Sequence, residues 1–275
     1  MSWVIHMDFV GKYQVKPFSK NRKNIVLILR EGWRRHSIHG AIEIDVTNGM
    51  KLIKDHKQKT GRDVSFTGWI IKCIAQALSE HKELNALRHG RNKIIIFDDV
   101  DVAIPVERST GSEIRPMVYI LRRANEKNVL EITEEIRDVQ TKKVSDSTQL
   151  LSKKLSRLER FALNSPFIIK KFLLWFSRQN AILKKKHMGT IGVTSIGMKG
   201  RFPGWLVPLG GTTTFLFALS SITKKLGVVD DKILIREYLN LTVSVDHDIV
   251  DGSPLARFID RLVELIETGF GLTDI

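Results

Sequence analysis

The sequence has little of what several protein classes require. It contains one cysteine and seven prolines in 275 residues. A single thiol excludes an intrachain disulfide framework, and the apolar setting of Cys73 in WIIKCIAQAL predicts a buried, unreactive side chain. No basic leader followed by an apolar run opens the chain, and its nearly uncharged stretches are either short or rich in Gly and Pro. We expect one continuous domain, residues 1–275, in a reducing, cytoplasmic setting.

Signatures of metal and hydrolase sites are also missing. The pairs His36/His39 and His81/His89 have neither a helical i,i+4 spacing nor convincing carboxylate partners, so no metal is expected. No G-x-S-x-G elbow is present, which argues against a Ser-His-Asp hydrolase. The glycines near residue 190 lack a Walker-type lysine pattern or a dinucleotide fingerprint.

Positive charge, in contrast, is abundant and local. The formal net charge is +14, and residues 141–187 hold twelve Lys or Arg against two acidic residues. The rest of the chain is nearly balanced. Nucleic acid, an anionic membrane surface and phosphorylated ligands are the candidate partners of such a field.

The basic segment has helical patterns of its own. Leu151, Leu155, Leu158 and Ala162 form an apolar stripe, and Ser165-Pro166 begins a second run, FIIKKFLLWFSRQNAIL, that mixes aromatic and basic residues. Three interpretations stay open: extra helices with a solvated basic face, contact with an anionic membrane or a hydrophobic acyl donor, and nucleic-acid binding. The last is not expected, since nothing resembles a recognised nucleic-acid module.

Regular patterns along the chain predict a mixed α/β domain with a large sheet. AIEIDVT (41–47) alternates as a strand does, and a helical pattern follows through Met50, Leu52 and Ile53. Helices are predicted over 67–81 and 128–137, and two extended pieces over 93–106. Leu239, Leu241, Val243 and Val245 predict a strand with one apolar face.

A histidine follows this last strand. The turn reads Asp246-His247-Asp248-Ile249-Val250-Asp251-Gly252, and Ser253-Pro254 then predicts the start of a helix that Gly269 ends. Histidine suits proton abstraction near neutrality because its ordinary pKa is about 6.5. On these residues alone, a general base and a solvated turn histidine are equally compatible with the pattern.

A second candidate is the stretch GTIGVTSIGMKG (189–200). A short extended run delivers Thr194 and Ser195 into a glycine-rich turn, where a hydroxyl can donate to a developing oxyanion. A phosphate-cradling loop and simple structural glycines are the alternatives.

Taken together, these blocks resemble the catalytic domain of the dihydrolipoamide acyltransferase component of 2-oxo-acid dehydrogenase complexes. The similarity rests on DHDIVDG with its flanks LNLTVSV and SPLARFIDRLVELIE, and on five further blocks in the family's order. Those blocks are EIDVT, VSFTGWIIKCIAQAL with HKELNA, DDVDVAIPV, EITEEIRD and GVTSIGMKG. The resemblance implies a two-layer α/β, chloramphenicol acetyltransferase-like fold with a large mixed sheet, assembled as a homotrimer or as a larger assembly of trimers.

The resemblance also implies roles for single residues. His247 is the general base that deprotonates the thiol of coenzyme A or dihydrolipoamide, and Thr194 the oxyanion donor, with Ser195 as its fallback. Asp251 is the structural acid of the turn, paired with Arg22. Coenzyme A or acyl-CoA is the expected substrate, with no metal, and the active-site channel is expected between subunits.

Departures from the family pattern shape the expected function. No lipoyl or subunit-binding domain is found in the sequence, which favours a stand-alone acyltransferase; a lipoyl-domain protein supplied by another chain, or a non-catalytic scaffold, are the alternatives. Asp248 stands where the family usually has arginine, and EIRPMVYI (113–120) replaces a Gly-Leu-Val-Val-Pro stretch. The basic, aromatic-rich segment at about 141–187 is interpreted as an insertion, and its part 150–187 as a possible contact with an anionic membrane, which would place the protein at the membrane periphery.

Overall fold

Helices cover one face of a six-stranded mixed sheet in the computed structural model of the chain. It describes residues 11–110, 113–141, 165–196, 203–273 and 275. In chain order the elements are α1 (Lys20–Trp33), β1 (Ser37–Asp45), α2 (Thr47–Thr60), α3 (Phe66–Glu80), β2 (Ala86–His89), β3 (Lys93–Ile96), β4 (Val102–Thr110), β5 (Glu113–Leu121), α4 (Val129–Thr141), α5 (Phe167–Gln179), α6 (Ala181–Met188), β6 (Ile191–Ser195), β7 (Phe215–Val229), β8 (Lys232–Asp246) and α7 (Gly252–Glu267).

The sheet has the order β1-β8-β7-β6-β4-β5, and β2 and β3 form a separate antiparallel pair. β6 pairs in parallel with both β4 and β7, and the other pairings are antiparallel. The sheet is therefore mixed, as predicted.

The main core lies between the sheet and the helices α3, α4 and α7. Alternate residues of β8, namely Leu239, Leu241, Val243 and Val245, are buried toward it. Phe258 of α7 packs on Phe215 and Phe217 of β7, with ring centroids 5.3 and 6.1 Å apart. Burial of these rings fixes α7 on the sheet, and with α7 the turn that precedes it.

Several sequence predictions are confirmed at the level of elements. Residues 41–45 of the predicted strand 41–47 belong to β1, whereas Val46 caps α2 and Thr47 begins it. The predicted helices correspond to α2, α3 and α4, and the extended pieces are β3 and β4. Cys73 is buried, and this burial raises the pKa of its thiol far above the ordinary value. The predicted helical run after Pro166 forms α5 and the first residues of α6, whereas the stripe at 151–162 lies outside the described residues.

The start of α7 differs from the prediction. Asp251, not Ser253, is the N-cap residue, and the helix begins at Gly252. Pro254 is then the third helical residue, where its missing N–H costs no hydrogen bond. The C-terminal end is as expected, since Gly269 follows the last turn with a φ of 75°.

A loop covers the second face of the sheet near β7 and β8. The Gly204 carbonyl accepts from Asn240 Nδ2 at 3.2 Å, and the Leu206 N–H donates to Ser220 Oγ at 2.8 Å. This face is polar where the other is apolar: Asn240, Thr242 and Ser244 are buried on it, and Asn240 contacts the loop. The loop itself leaves Trp205, Val207 and Leu209 partly exposed to solvent.

Candidate active site

The turn that carries His247 is fixed by its backbone. The His247 N–H donates to the His36 carbonyl at 2.9 Å, and the Asp246 carbonyl accepts from Ile249 and Val250 at 3.1 and 3.2 Å. The imidazole is 45% exposed, with Nδ1 3.9 Å from the Asp251 carboxylate. That separation is too long for a hydrogen bond. The imidazole is thus exposed to solvent on a turn that backbone hydrogen bonds hold in place.

The buried acid of the turn is Asp246. Its carboxylate accepts from Arg35 Nη1 at 2.6 Å, and the same guanidinium donates to the carbonyls of Thr212 and Thr213. Both side chains are largely buried, at 14% and 7% exposure. Arg35 therefore joins the end of β8, directly before His247, to the loop that precedes β7.

The ion pair that the structure places at this turn joins Arg35 to Asp246, whereas the family resemblance implies a pair of Arg22 and Asp251. Arg22 is exposed in the first turn of α1, and among the described residues no ion pair joins it to Asp251. Asp251 is 88% exposed, so water solvates its charge and no buried partner is required. Sequence reasoning missed Arg35 and Asp246. The available signal was Asp246 itself, a charged residue continuing the polar face of β8 into a buried position.

Thr194 and Ser195 end the short strand β6. Gly189 lies two residues before β6, where the backbone has a φ of 72°. A Cβ at this position would lie 2.5 Å from the Asp101 carbonyl oxygen, so there is no room for a side chain. Val193 is buried in the core, so alternation puts Thr194 on the polar face of the sheet and Ser195 on the core side. Of the two hydroxyls, Thr194 is the one on the polar face. The following residues 197–202 lie outside the described part of the chain.

His247 and Thr194 do not meet within one chain. Thr194 pairs with Ala218, which pairs with Thr242, five residues before His247. With about 4.8 Å between strands and about 3.3 Å per residue, their Cα atoms are roughly 19 Å apart. One reacting atom cannot contact both side chains across this span.

Asp248, where the resemblance expects arginine, forms a small charged cluster. Its carboxylate lies 2.8 Å from His36 Nδ1 and 3.5 Å from Arg88 Nη1. The hydrogen bond to Asp248 raises the pKa of the exposed His36 imidazole. The acid therefore connects the His247 turn to the segment before β1 and to β2.

Two further sequence predictions concern the stretch 113–120 and metal binding. The stretch 113–120 lies on β5, at the edge of the sheet beside β4. Among the described residues, no group of three or more His, Cys, Asp or Glu side chains is arranged to hold a metal ion.

Comparison with known proteins identifies the family. The sequence model of "2-oxoacid dehydrogenases acyltransferase (catalytic domain)" matches residues 10–151 and 178–272. The lipoamide acyltransferase component of the branched-chain alpha-keto acid dehydrogenase complex of Bacillus subtilis is 27% identical over 233 residues, which are 82% of this chain and 46% of that protein. A pyruvate dehydrogenase acetyltransferase component of Rickettsia bellii is 23% identical over 94% of this chain and 53% of its own length. The chain thus spans about half the length of these relatives.

Solved structures share the fold. The dihydrolipoamide acetyltransferase of Azotobacter vinelandii superposes with a TM-score of 0.69 at 18% identity, covering 99% of this chain and 100% of that one. That protein has been studied for the catalytic roles of a serine, a histidine and an asparagine four residues after the histidine. A probable dihydrolipoamide acetyltransferase of Listeria monocytogenes gives a TM-score of 0.66 at 21% identity, covering 94% of this chain and 95% of that one. By its sequence, this chain belongs to the family of 2-oxoacid dehydrogenase acyltransferase catalytic domains.

Proposed function

We propose that the protein transfers acyl groups between thiols, with coenzyme A as one of them, and that His247 is its general base. The observation that carries this proposal is the exposed imidazole on a turn that the Arg35–Asp246 pair holds from beneath. Family membership supports the same chemistry, since the relatives are named as lipoamide or dihydrolipoyllysine acyltransferases.

The proposed reaction needs only proton transfer and one hydroxyl donor. The His247 imidazole takes the proton of the acceptor thiol, and the thiolate attacks the carbonyl carbon of the acyl thioester. The Thr194 hydroxyl donates to the oxyanion of the tetrahedral intermediate, with Ser195 as the alternative donor. Collapse of the intermediate breaks the bond to the donor sulfur, and the imidazolium returns its proton to that leaving thiolate.

The reaction requires that two chains share each site. The separation of roughly 19 Å between His247 and Thr194 within a chain supports a site formed by His247 of one subunit and Thr194 of the next. An exposed apolar surface supports such an assembly. Leu226, Val228, Ile233 and Ile235, at the far end of the β7–β8 hairpin, are each more than 70% exposed. We propose that this surface, the hairpin surface, packs on a second copy in a homotrimer.

The acyl donor can be free or attached. In the stand-alone form of the proposal, acyl-CoA and a small thiol are the two substrates. In the alternative, the protein acts on a lipoyl domain carried by another chain, as the names of its relatives suggest. Assays with free dihydrolipoamide and with a lipoylated domain separate these forms. If the protein acts on a lipoyl domain, contact between the two proteins should make the lipoylated domain a faster substrate than free dihydrolipoamide.

The central experiment is acyl transfer from acetyl-CoA, and from longer acyl-CoAs, to dihydrolipoamide. His247→Ala should lower kcat by about 10²–10⁴-fold, the usual contribution of a general base. Glu267→Ala, at the far end of α7, is a matched control that should keep the wild-type rate. Equal rates in His247→Ala and wild type, over a pH series, would show the mechanism to be wrong.

A second candidate function is attachment to an anionic membrane surface through α5. Phe172, Trp175 and Phe176 lie on one side of this helix and are 48–61% exposed, beside the basic Lys171. Aromatic side chains next to basic ones are typical of helices that lie in a membrane interface. No helix among the described residues is long and apolar enough to cross a bilayer.

A further inference from the structure

A strongly cationic cavity lies beside the His247 turn, which contributes Asp246 and Asp248 to its wall. It has a volume of about 370 Å³, at the lower end of the range of about 300–1,000 Å³ for small-molecule sites. Its walls come from the α1–β1 connection, the β2–β3 hairpin, the α5–α6 segment, the loop before β7 and the end of β8. Six of its lining side chains are basic: Arg34, Arg35, Arg88, Arg91, Arg178 and Lys184.

The two acids in the wall do not balance this charge. Asp246 is paired with Arg35, and Asp248 lies between His36 and Arg88. In the described part of the chain, Lys184 and Arg91 have no carboxylate within ion-pair distance. The positive charges of these two side chains are therefore not compensated by an acid among the described residues.

Lys184 is the most deeply buried basic residue of the cavity. It is only 6% exposed on α6, and its burial, together with Arg35, Arg178 and Arg88, lowers its pKa to about 8, against the opposing effect of Asp246. Burying an ammonium group without a partner is unfavourable, and such groups are usually paired. A bound anion would supply the missing partner.

The walls are formed in advance of any ligand. The Gly90 N–H donates to the Gln179 carbonyl at 2.7 Å, and the Ala181 N–H to His89 Nδ1 at 3.3 Å, which joins the β2–β3 hairpin to the α5–α6 junction. Asn180 caps α6 by accepting from Ile182 and Leu183. Lys184 thus lies on a fixed helix, one turn after its N-cap.

The geometry points to a binding site for a phosphate-class anion, in which the Lys184 ammonium and the Arg91 and Arg88 guanidinium groups contact the phosphoryl oxygens. Guanidinium forks bind phosphate in a bidentate manner, and lysine adds a point charge. Such an anion can be a free phosphate or diphosphate, or the phosphate groups of a larger molecule such as coenzyme A. Anion binding at this site does not depend on acyl transfer, so we expect it whether or not the protein has the proposed activity.

The test is isothermal titration of the full chain with inorganic pyrophosphate at near-physiological salt. We expect saturable binding that Lys184→Met weakens at least tenfold. The control Lys186→Met, which removes an exposed lysine of the same helix outside the cavity, should bind as wild type. In the absence of anion, Lys184→Met should melt at a higher temperature than wild type, because a buried charge without a partner has been removed.

Two further measurements test the site. At pH 8, anion binding should be accompanied by proton uptake, because a nearby negative charge raises the pKa of Lys184; repeating the titration in buffers of different ionisation enthalpy measures it. Competition between pyrophosphate and coenzyme A, but not pantetheine, assigns the site to the phosphates of coenzyme A, and absence of competition assigns it to a free anion. Absence of pyrophosphate binding, or equal weakening by Lys184→Met and Lys186→Met, would overturn the proposal.

Discussion

At the scale of single residues, the buried ion pair of Arg35 and Asp246, directly before His247, predicts an effect on stability. Replacing Arg35 by Met leaves the buried Asp246 carboxylate without its ion-pair partner, and we expect a loss of about 3 kcal/mol in the free energy of unfolding. Arg22→Met is the matched control: its side chain is exposed, so the change should stay within about 0.5 kcal/mol. Urea unfolding measures both. A larger loss of unfolding free energy in Arg22→Met than in Arg35→Met would favour the pairing of Arg22 with Asp251 that the family resemblance implies.

Asp248 makes a pH-dependent prediction at the same scale. Its hydrogen bond raises the pKa of His36, so the stabilisation from this pair is present below the ordinary histidine pKa of about 6.5 and is lost as pH rises through the higher value of the folded state. In Asp248→Asn, we expect the His36 pKa to return toward its ordinary value. NMR titration of the ring protons measures this change, and Asp251→Asn, which does not contact His36, is the control. An unchanged His36 titration in Asp248→Asn would contradict the assignment.

At the scale of elements, the success of sequence reasoning followed the clarity of the local pattern. β8 alternates without interruption from Leu239 to Val245, and α3 repeats apolar residues at helical spacing, so both were predicted. α1 and β7 were not. α1 leaves much of its surface exposed, including Trp33, and β7 is apolar and polar in irregular order across its register shift after Leu219. Their positions depend on tertiary contacts that the local sequence does not encode.

The site residues divide in the same way. His247 and the two hydroxyls are found in short blocks, and each could be proposed from its neighbours along the chain. The Arg35–Asp246 pair joins residues 211 positions apart, and the cavity around Lys184 draws on five separate segments, around residues 35, 90, 180, 212 and 247. No spacing rule connects these residues, because only the packed sheet and helices bring them together.

α5 gives a prediction for one element. We expect wild-type protein to float with vesicles that contain phosphatidylserine and much less with neutral vesicles, because the aromatic face inserts while the basic side chains meet anionic headgroups. The triple change Phe172→Ser, Trp175→Ser, Phe176→Ser should abolish flotation. Ile94→Ser with Ile96→Ser, which removes two exposed apolar side chains of β3, should not. Equal flotation on neutral vesicles, or none on anionic ones, would contradict the membrane hypothesis.

At the scale of the whole molecule, the sheet explains why the proposed site needs two chains. Thr194 lies on β6 and His247 directly after β8, with β7 between the two strands and with the two residues at different heights along the sheet. No side-chain rotation closes a gap of roughly 19 Å, and moving either strand would break the register that buries the core. Activity and assembly should therefore be lost together. Changing Leu226, Val228, Ile233 and Ile235 to Ser on the hairpin surface should yield a folded but inactive monomer in sedimentation experiments.

Mixing two inactive variants tests the shared site directly. Thr194→Ala keeps His247, and His247→Ala keeps Thr194, so a trimer that contains both variants regains an intact pair wherever the two meet in the right order. Random assembly at equal amounts gives such a pair at about one interface in four, so the co-expressed mixture should recover about a quarter of the wild-type activity. Each variant alone should stay about 10²-fold or more below wild type. If the site were formed within one chain, mixing would recover nothing, and the mixture would be no more active than its better component.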